Sequence, residues 1–308
     1  MSLRYIGRSR FRASINAEFA PYRAIQRPIE VLFYGTMGGL LDLLTGRDAS
    51  LPLDRAALEL AAIEFPEIEA DAFVGLLDSH AAELRERLSD TADGETYVRE
   101  ANRYLFDELG FRGNTADYYD PKNSCLNEVL TARTGIPITL SLVYMEIARR
   151  LGRPVAGIGL PGHFIVRYDD GRYSAFIDPF HGGRLMDAED CFALSREVSQ
   201  MEIEPDRKWL APVSKRDLLL RMLRNLSGAY TSRGQTDKAI AALNLLIQAN
   251  PDSPEEYRQR GILQTQAGRL GAAKQDLARY LDLAKSPDER ERAKAEVHQI
   301  QHWIASMN

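Results

Sequence analysis

"RTGIPITLSLVYMEIARRLGRPV", residues 133–155, decides how this chain is read. A glycine turn at Gly135 leads into Pro137. Proline suits the first helical position, where its missing N–H would have no partner inside the helix. An apolar stripe follows and ends in Arg149 and Arg150 before Gly152, basic residues and a glycine that suit a helix C-terminus. Beyond Val155 the period changes. "VAGIGL", "HFIVRY" and "YSAFIDP" are short runs rich in Val, Ile, Phe and Tyr, and "DDGR" (169–172) separates the last two. That pattern predicts a β-hairpin turning at Asp-Gly. Helices followed by an antiparallel sheet make an α+β arrangement.

A buried helix start beside two strands is also a place for chemistry. A cysteine there is held as thiolate by the positive end of the helix dipole. A histidine on a facing strand serves as its base, and an aspartate on the next strand orients that histidine. Here His163 opens "HFIVRY" and Asp178 closes "YSAFID". In an antiparallel pair the start of one strand lies beside the end of the next. His163 and Asp178 are therefore expected within hydrogen-bond reach. The nucleophile is missing, because the helix opens with Pro137, which cannot attack a carbonyl.

Two cysteines occur in the chain, Cys125 and Cys191. Cys125 follows "DPKNS", where Asn123 or Ser124 caps a short helix over 125–134 that Gly135 closes. It reads first as a small buried residue and second as a displaced thiolate in the first turn. Cys191, in "AEDCFALS", reads as core. His181 lies three residues past Asp178, so His163, Asp178 and His181 form a possible metal cluster of suitable ligand types, at a spacing that matches no diagnostic motif. A simple hydrogen-bonded pair joining two strands accounts equally well for His163 and Asp178. Gly162, Gly182 and Gly183 bracket the hairpin and permit backbone conformations closed to other residues. Tyr118, Tyr119 and Asp120 form a packed loop or a recognition surface.

N-terminal to this region the periodicity is helical. "LDRAALELAAIEFP" (53–66) stops at Pro66, and 69–88 places Phe73, Leu76, Leu77, His80 and Leu84 on one stripe. His80 reads as a helix-face residue. A third helix covers 96–109 and ends at Gly110. C-terminal to the hairpin, two segments share a register of 34 residues. Leu223, Leu226, Tyr230, Gly234, Ala239, Leu243 and Pro251 occupy the first, and Tyr257, Gly261, Gly268, Ala273 and Leu277 the second. This resembles the tetratricopeptide repeat. A last helix, about 289–306, would cap the stack, with Trp303 in the cap packing.

The chain has 308 residues and a net charge of −5, which gives no general argument for nucleic-acid binding. The first 30 residues carry six arginines (4, 8, 10, 12, 23, 27) against Glu18 and Glu30, a solvated arm or a contact for an acidic partner. No apolar run is long enough for a membrane helix, and no signal-peptide stretch opens the chain. Two cysteines indicate neither a disulfide framework nor a structural zinc site, so a cytoplasmic location is expected.

The string "GIPITLSLVYMEIARRLGRPV…GHFIVRY…FIDPF", preceded by "NRYLFDELGFRGNTADYYDPKNSCLNEVLTARTGIP", resembles the transglutaminase-like core, and within it the SirB1 branch. The resemblance spans roughly residues 40–290. It implies an α+β core of the papain-like cysteine protease type followed by an all-α repeat region. The expected divisions are a helical region at 1–95, the core at 96–212, and two repeats with a capping helix at 213–308. Active members of the wider superfamily carry G-x-C at the helix start. Laid on this chain, that cysteine falls on Pro137, the superfamily histidine on His163 and its aspartate on Asp178. The resemblance therefore implies a protein that has lost its nucleophile and acts in protein–protein interaction or regulation, through repeats that take a protein or peptide. Two alternatives stay open: a cysteine acyltransferase or protease using Cys125, His163 and Asp178, and a metal-dependent hydrolase around His163, Asp178 and His181. No cofactor is implied, and the oligomeric state is left open.

Overall fold

The computed structural model describes residues 38–47, 50–200 and 205–306, with side chains as far as His302. The Arg-rich stretch 1–30 and the side chain of Trp303 lie outside that range. Contacts gather the described residues into two units, neither of them one continuous stretch: 71–115 with 128–214, and 38–70 with 116–127 and 215–306.

The first unit is built around helix Pro137–Arg150. Nearly every residue from Pro137 to Ala148 is buried. A helix apolar on all sides belongs inside a protein, and this one packs against the sheet and against the short turn Pro179–His181. Ahead of it, strand β1 (Arg112–Gly113) pairs in parallel with β2 (Thr134–Gly135). A Cβ on Gly113 would sit 2.6 Å from the Phe180 ring, so only glycine lets this strand approach the turn. The sheet proper is antiparallel in the order β3 (Val155–Ile158), β4 (Ile165–Asp169), β5 (Ser174–Asp178) and β6 (Arg184–Met186). The expected hairpin is β4–β5, with Val166 opposite Ile177 and Asp169 opposite Ser174. Gly171 makes the turn at φ +81°. Ile158, Ile165, Cys191 and Phe192 share one buried cluster, so Cys191 lies in the core. His80 is buried on helix Ala70–Glu86, and its Nδ1 lies 3.1 Å from the Tyr104 hydroxyl.

Several local readings change. The helix expected over 96–109 is α-helical only from Gly94 to Asn102, and Arg103–Glu108 is a π-helical turn. The helix after Cys125 runs Leu126–Ala132, so Cys125 precedes it rather than sitting in its first turn. Arg133, not Gly135, ends that helix, with a left-handed φ of 54°. Its guanidinium donates to the Leu109 carbonyl at 2.9 Å, a tertiary contact that offsets the strain. Helix Leu53–Ala61 stops short of Pro66. Strand β6 had no periodic signal because it is three residues long.

The second unit holds the repeats as helices Lys215–Ser232, Thr236–Ala249, Pro254–Gln266 and Leu270–Leu283, followed by Pro287–Ser306. Gly234 and Gly268 turn the chain within the pairs at φ +69° and +72°. Ala239 and Ala273 are fully buried, as small residues between closely packed helices must be. The Arg260 guanidinium donates two hydrogen bonds to buried Asp276, at 2.6 and 2.9 Å, and a third to Asn244 at 2.7 Å. No helix among the described residues is long and apolar enough to cross a membrane.

Candidate functional site

His163 stands just before β4. Gly162 adopts φ +75°, and the His163 amide donates to the Leu160 carbonyl at 3.2 Å, which turns the side chain toward the end of β5. There Asp178 closes the strand. His163 Nε2 lies 3.0 Å from Asp178 Oδ2. A second imidazole reaches the same oxygen, with His181 Nδ1 at 2.7 Å. The other carboxylate oxygen, Oδ1, accepts from the backbone N–H groups of Phe180 at 3.0 Å and His181 at 3.4 Å. Backbone hydrogen bonds thus fix one oxygen and leave the other to the two rings. The rings stack with centroids 5.6 Å apart and planes 24° from parallel. The side chains of His163 and Asp178 are only 3% and 1% exposed, whereas His181 is 47% exposed.

The electrostatics follow from this crowding. Burial by itself raises the Asp178 pKa, but hydrogen bonds and charge from His163 and His181 outweigh it and hold the carboxyl well below its usual range. The hydrogen bond to Asp178 raises the His181 pKa against its own partial burial.

The chain after His181 is built to close around this carboxylate. Gly182 and Gly183 adopt φ +68° and +77°, and the Gly183 amide donates to the Asp178 carbonyl at 2.9 Å. Asn102 Nδ2 donates to the Gly183 carbonyl at 2.7 Å. A Cβ on Gly183 would lie 2.6 Å from the Phe106 ring, which belongs to the π turn and stacks on Tyr144 of the central helix. Asn102 and Phe106 were not singled out from the sequence, and their only trace there is their place in "NRYLFDELGF".

Pro137 occupies the first position of its helix. The Ile136 N–H donates to Thr139 Oγ1 at 3.2 Å, so a threonine side chain caps the helix start. Cys125 belongs to the second unit, where it is buried, with Sγ 3.5 Å from the Pro121 carbonyl. His163 and Asp178 belong to the first unit. Burial, helped by Asp190 and Asp187, pushes the Cys191 thiol up to about 12. Tyr118 and Tyr119 stack edge to face, Tyr119 is 45% exposed, and Asp120 caps the turn Pro121–Ser124.

A central helix against an antiparallel sheet, a His–Asp pair at the hairpin and trailing helical repeats define a transglutaminase-like protein with tetratricopeptide repeats. The transglutaminase-like superfamily profile matches residues 71–224, and a tetratricopeptide repeat profile matches 226–298. A UPF0162 protein of Xylella fastidiosa (strain 9a5c) is 39% identical over 249 residues, 79% of this chain and 88% of that protein. The chain belongs to the UPF0162 family. A UPF0162 protein of Pseudomonas aeruginosa is 29% identical over 238 residues, 77% of this chain and 87% of that one. The mouse F-box only protein 21 is 40% identical over 98 residues, 29% of this chain and 16% of that protein.

Proposed function

We propose that this protein works by binding rather than by turnover. It is a SirB1-type transglutaminase-like core without its nucleophile, joined to helical repeats that take a peptide or a partner helix. Pro137 carries this reading. It fills the first turn of the helix that packs against β4 and the Pro179–His181 turn, where the family pattern needs a thiol. Tetratricopeptide helices generally mediate protein interactions, and the repeat profile covers most of the C-terminal third. Cys125 has no part in the reading, because its buried Sγ is turned to the Pro121 carbonyl. Two buried cysteines that are not joined in a disulfide suit the reducing cytoplasm, where we place the protein.

Acyl-transfer assays with glutamine peptides and activated esters test the loss of chemistry. The wild type should show no turnover above buffer. Pro137→Cys should gain a thiol that iodoacetamide labels faster than Cys125 or Cys191, because the helix start and His163 favour the thiolate. Wild-type turnover that disappears in His163→Ala would end this reading.

A further inference from the structure

Two imidazoles on one carboxylate oxygen exceed what a nucleophile's base requires. A Cys–His–Asp relay uses one histidine and one orienting carboxylate. Here His163 Nε2 and His181 Nδ1 both converge on Asp178 Oδ2, and the three atoms lie within 4.8 Å of one another. Among the described residues this is the one group of three or more His, Cys, Asp or Glu side chains so placed. We propose that His163, Asp178 and His181 hold a single divalent transition-metal ion of the zinc class, with a coordination position open to solvent beside His181.

The chemistry of the donors fits. Two neutral imidazoles and a carboxylate are ligands for zinc, iron(II) or manganese, and three protein ligands leave a further position for water or an incoming group. Ligand atoms about 2.1 Å from a tetrahedral ion sit about 3.4 Å from one another. The gaps of 3.0 and 2.7 Å to Asp178 Oδ2 therefore need to widen by only about half an ångström. The ion binds the neutral form of each ring, so it displaces the protons that face Asp178 Oδ2. Each imidazole turns its lone pair to the ion by carrying its proton on the other nitrogen.

The supports of the site also fit. Metal-binding carboxylates are themselves held by outer hydrogen bonds, and the amides of Phe180 and His181 hold Asp178 Oδ1, leaving Oδ2 as a single ligand. His163 and Asp178 are buried and stand on the β4–β5 hairpin, while half-exposed His181 gives the ion its face to water. Gly182 and Gly183 let the chain turn back after His181. This inference stands apart from the interaction role, since a metal-free site would leave the repeats and Pro137 as they are.

The test must silence a competitor. His298 and His302 are exposed one turn apart on helix Pro287–Ser306, and such a pair takes up metal by itself. The full chain carrying His298→Ala and His302→Ala, purified without nickel and stripped with EDTA, would be titrated with cobalt(II) by visible absorption and with zinc by calorimetry. One ion per chain is expected, with d–d bands of a nitrogen–oxygen site. Adding His181→Ala, a half-exposed position, should weaken binding at least tenfold and lower the melting temperature in EDTA by only a few degrees, the loss of one hydrogen bond to Asp178. Asp178→Asn, checked for folding by the same melt, should also weaken it. No binding in the starting protein, or binding that His181→Ala leaves intact, would overturn the proposal.

Discussion

The two units bury polar groups in different ways. Around its sheet and first helices, the first unit turns imidazoles inward: His163 and His181 on Asp178, and His80 on Tyr104. It also holds the buried carboxylate of Glu146, paired with Arg150 and with the exposed Arg149. The second unit pairs buried carboxylates with guanidiniums, Asp276 with the mostly buried Arg260 and Glu256 with the half-exposed Arg224. An arginine stays charged in a protein, so its carboxylate is committed and the pair serves as a fixed joint. An imidazole can take up or shed a proton, or turn its lone pair to an ion, in the range where proteins work. Fixed joints suit helices that must keep one register. Adjustable groups gathered on one oxygen suit a site.

The largest effect should come from cutting a fixed joint. Asp276→Ala leaves the Arg260 charge with no carboxylate, only Asn244 and the Tyr257 ring, and should cost about 3–5 kcal/mol in urea unfolding. Asp178→Ala, measured in EDTA, should cost less, about 2–3 kcal/mol, because it leaves the Phe180 and His181 amides without their acceptor. Equal losses would break the contrast between the units. Next comes the glycine that closes the site. Gly183→Ala puts a methyl against the Phe106 ring at a left-handed φ of +77° and should cost about 1–3 kcal/mol. A neutral result would mean the π turn yields easily.

The smallest effect is one of pH. Burial lowers the His80 pKa, the largest influence on it, while the Glu83 charge raises it and that of Arg133 lowers it. The folded protein therefore resists a proton that the unfolded chain accepts below about pH 6.5. The stability due to neutral His80 is present above that pH and is lost as the pH falls toward the lower, folded value. Melting temperatures of wild type and His80→Gln should run parallel above neutrality and converge in acid. Curves that stay parallel throughout would show that His80 titrates alike in both states.

Much of the site was legible in the chain because strand pairing is a local rule. A two-strand hairpin turning at Gly171 brings the residue before the first strand to the end of the second, so the approach of His163 to Asp178 followed from spacing alone. His181 was visible only as a nearby histidine. Its aim at the same oxygen depends on Asp178 Oδ1 capturing the Phe180 and His181 amides and on two left-handed glycines. Asn102 and Phe106 reach Gly183 across 81 and 77 residues of sequence, and no local pattern reports a contact of that span.

What the sequence by itself determined were the features with a period or a turn: the helix opened by Pro137, the β4–β5 hairpin, and the repeats set by Gly234, Gly268, Ala239 and Ala273. Side-chain periodicity and backbone freedom act over a few residues, so they can be read without the fold. Only the tertiary structure decided that Arg133 ends its helix, that β1 pairs with β2, and that segment 116–127, with Cys125, gathers with the repeats rather than with His163. Those outcomes depend on distant partners, the Leu109 carbonyl for Arg133 and the Phe180 ring for Gly113, whose burial and hydrogen bonding outweigh local preference.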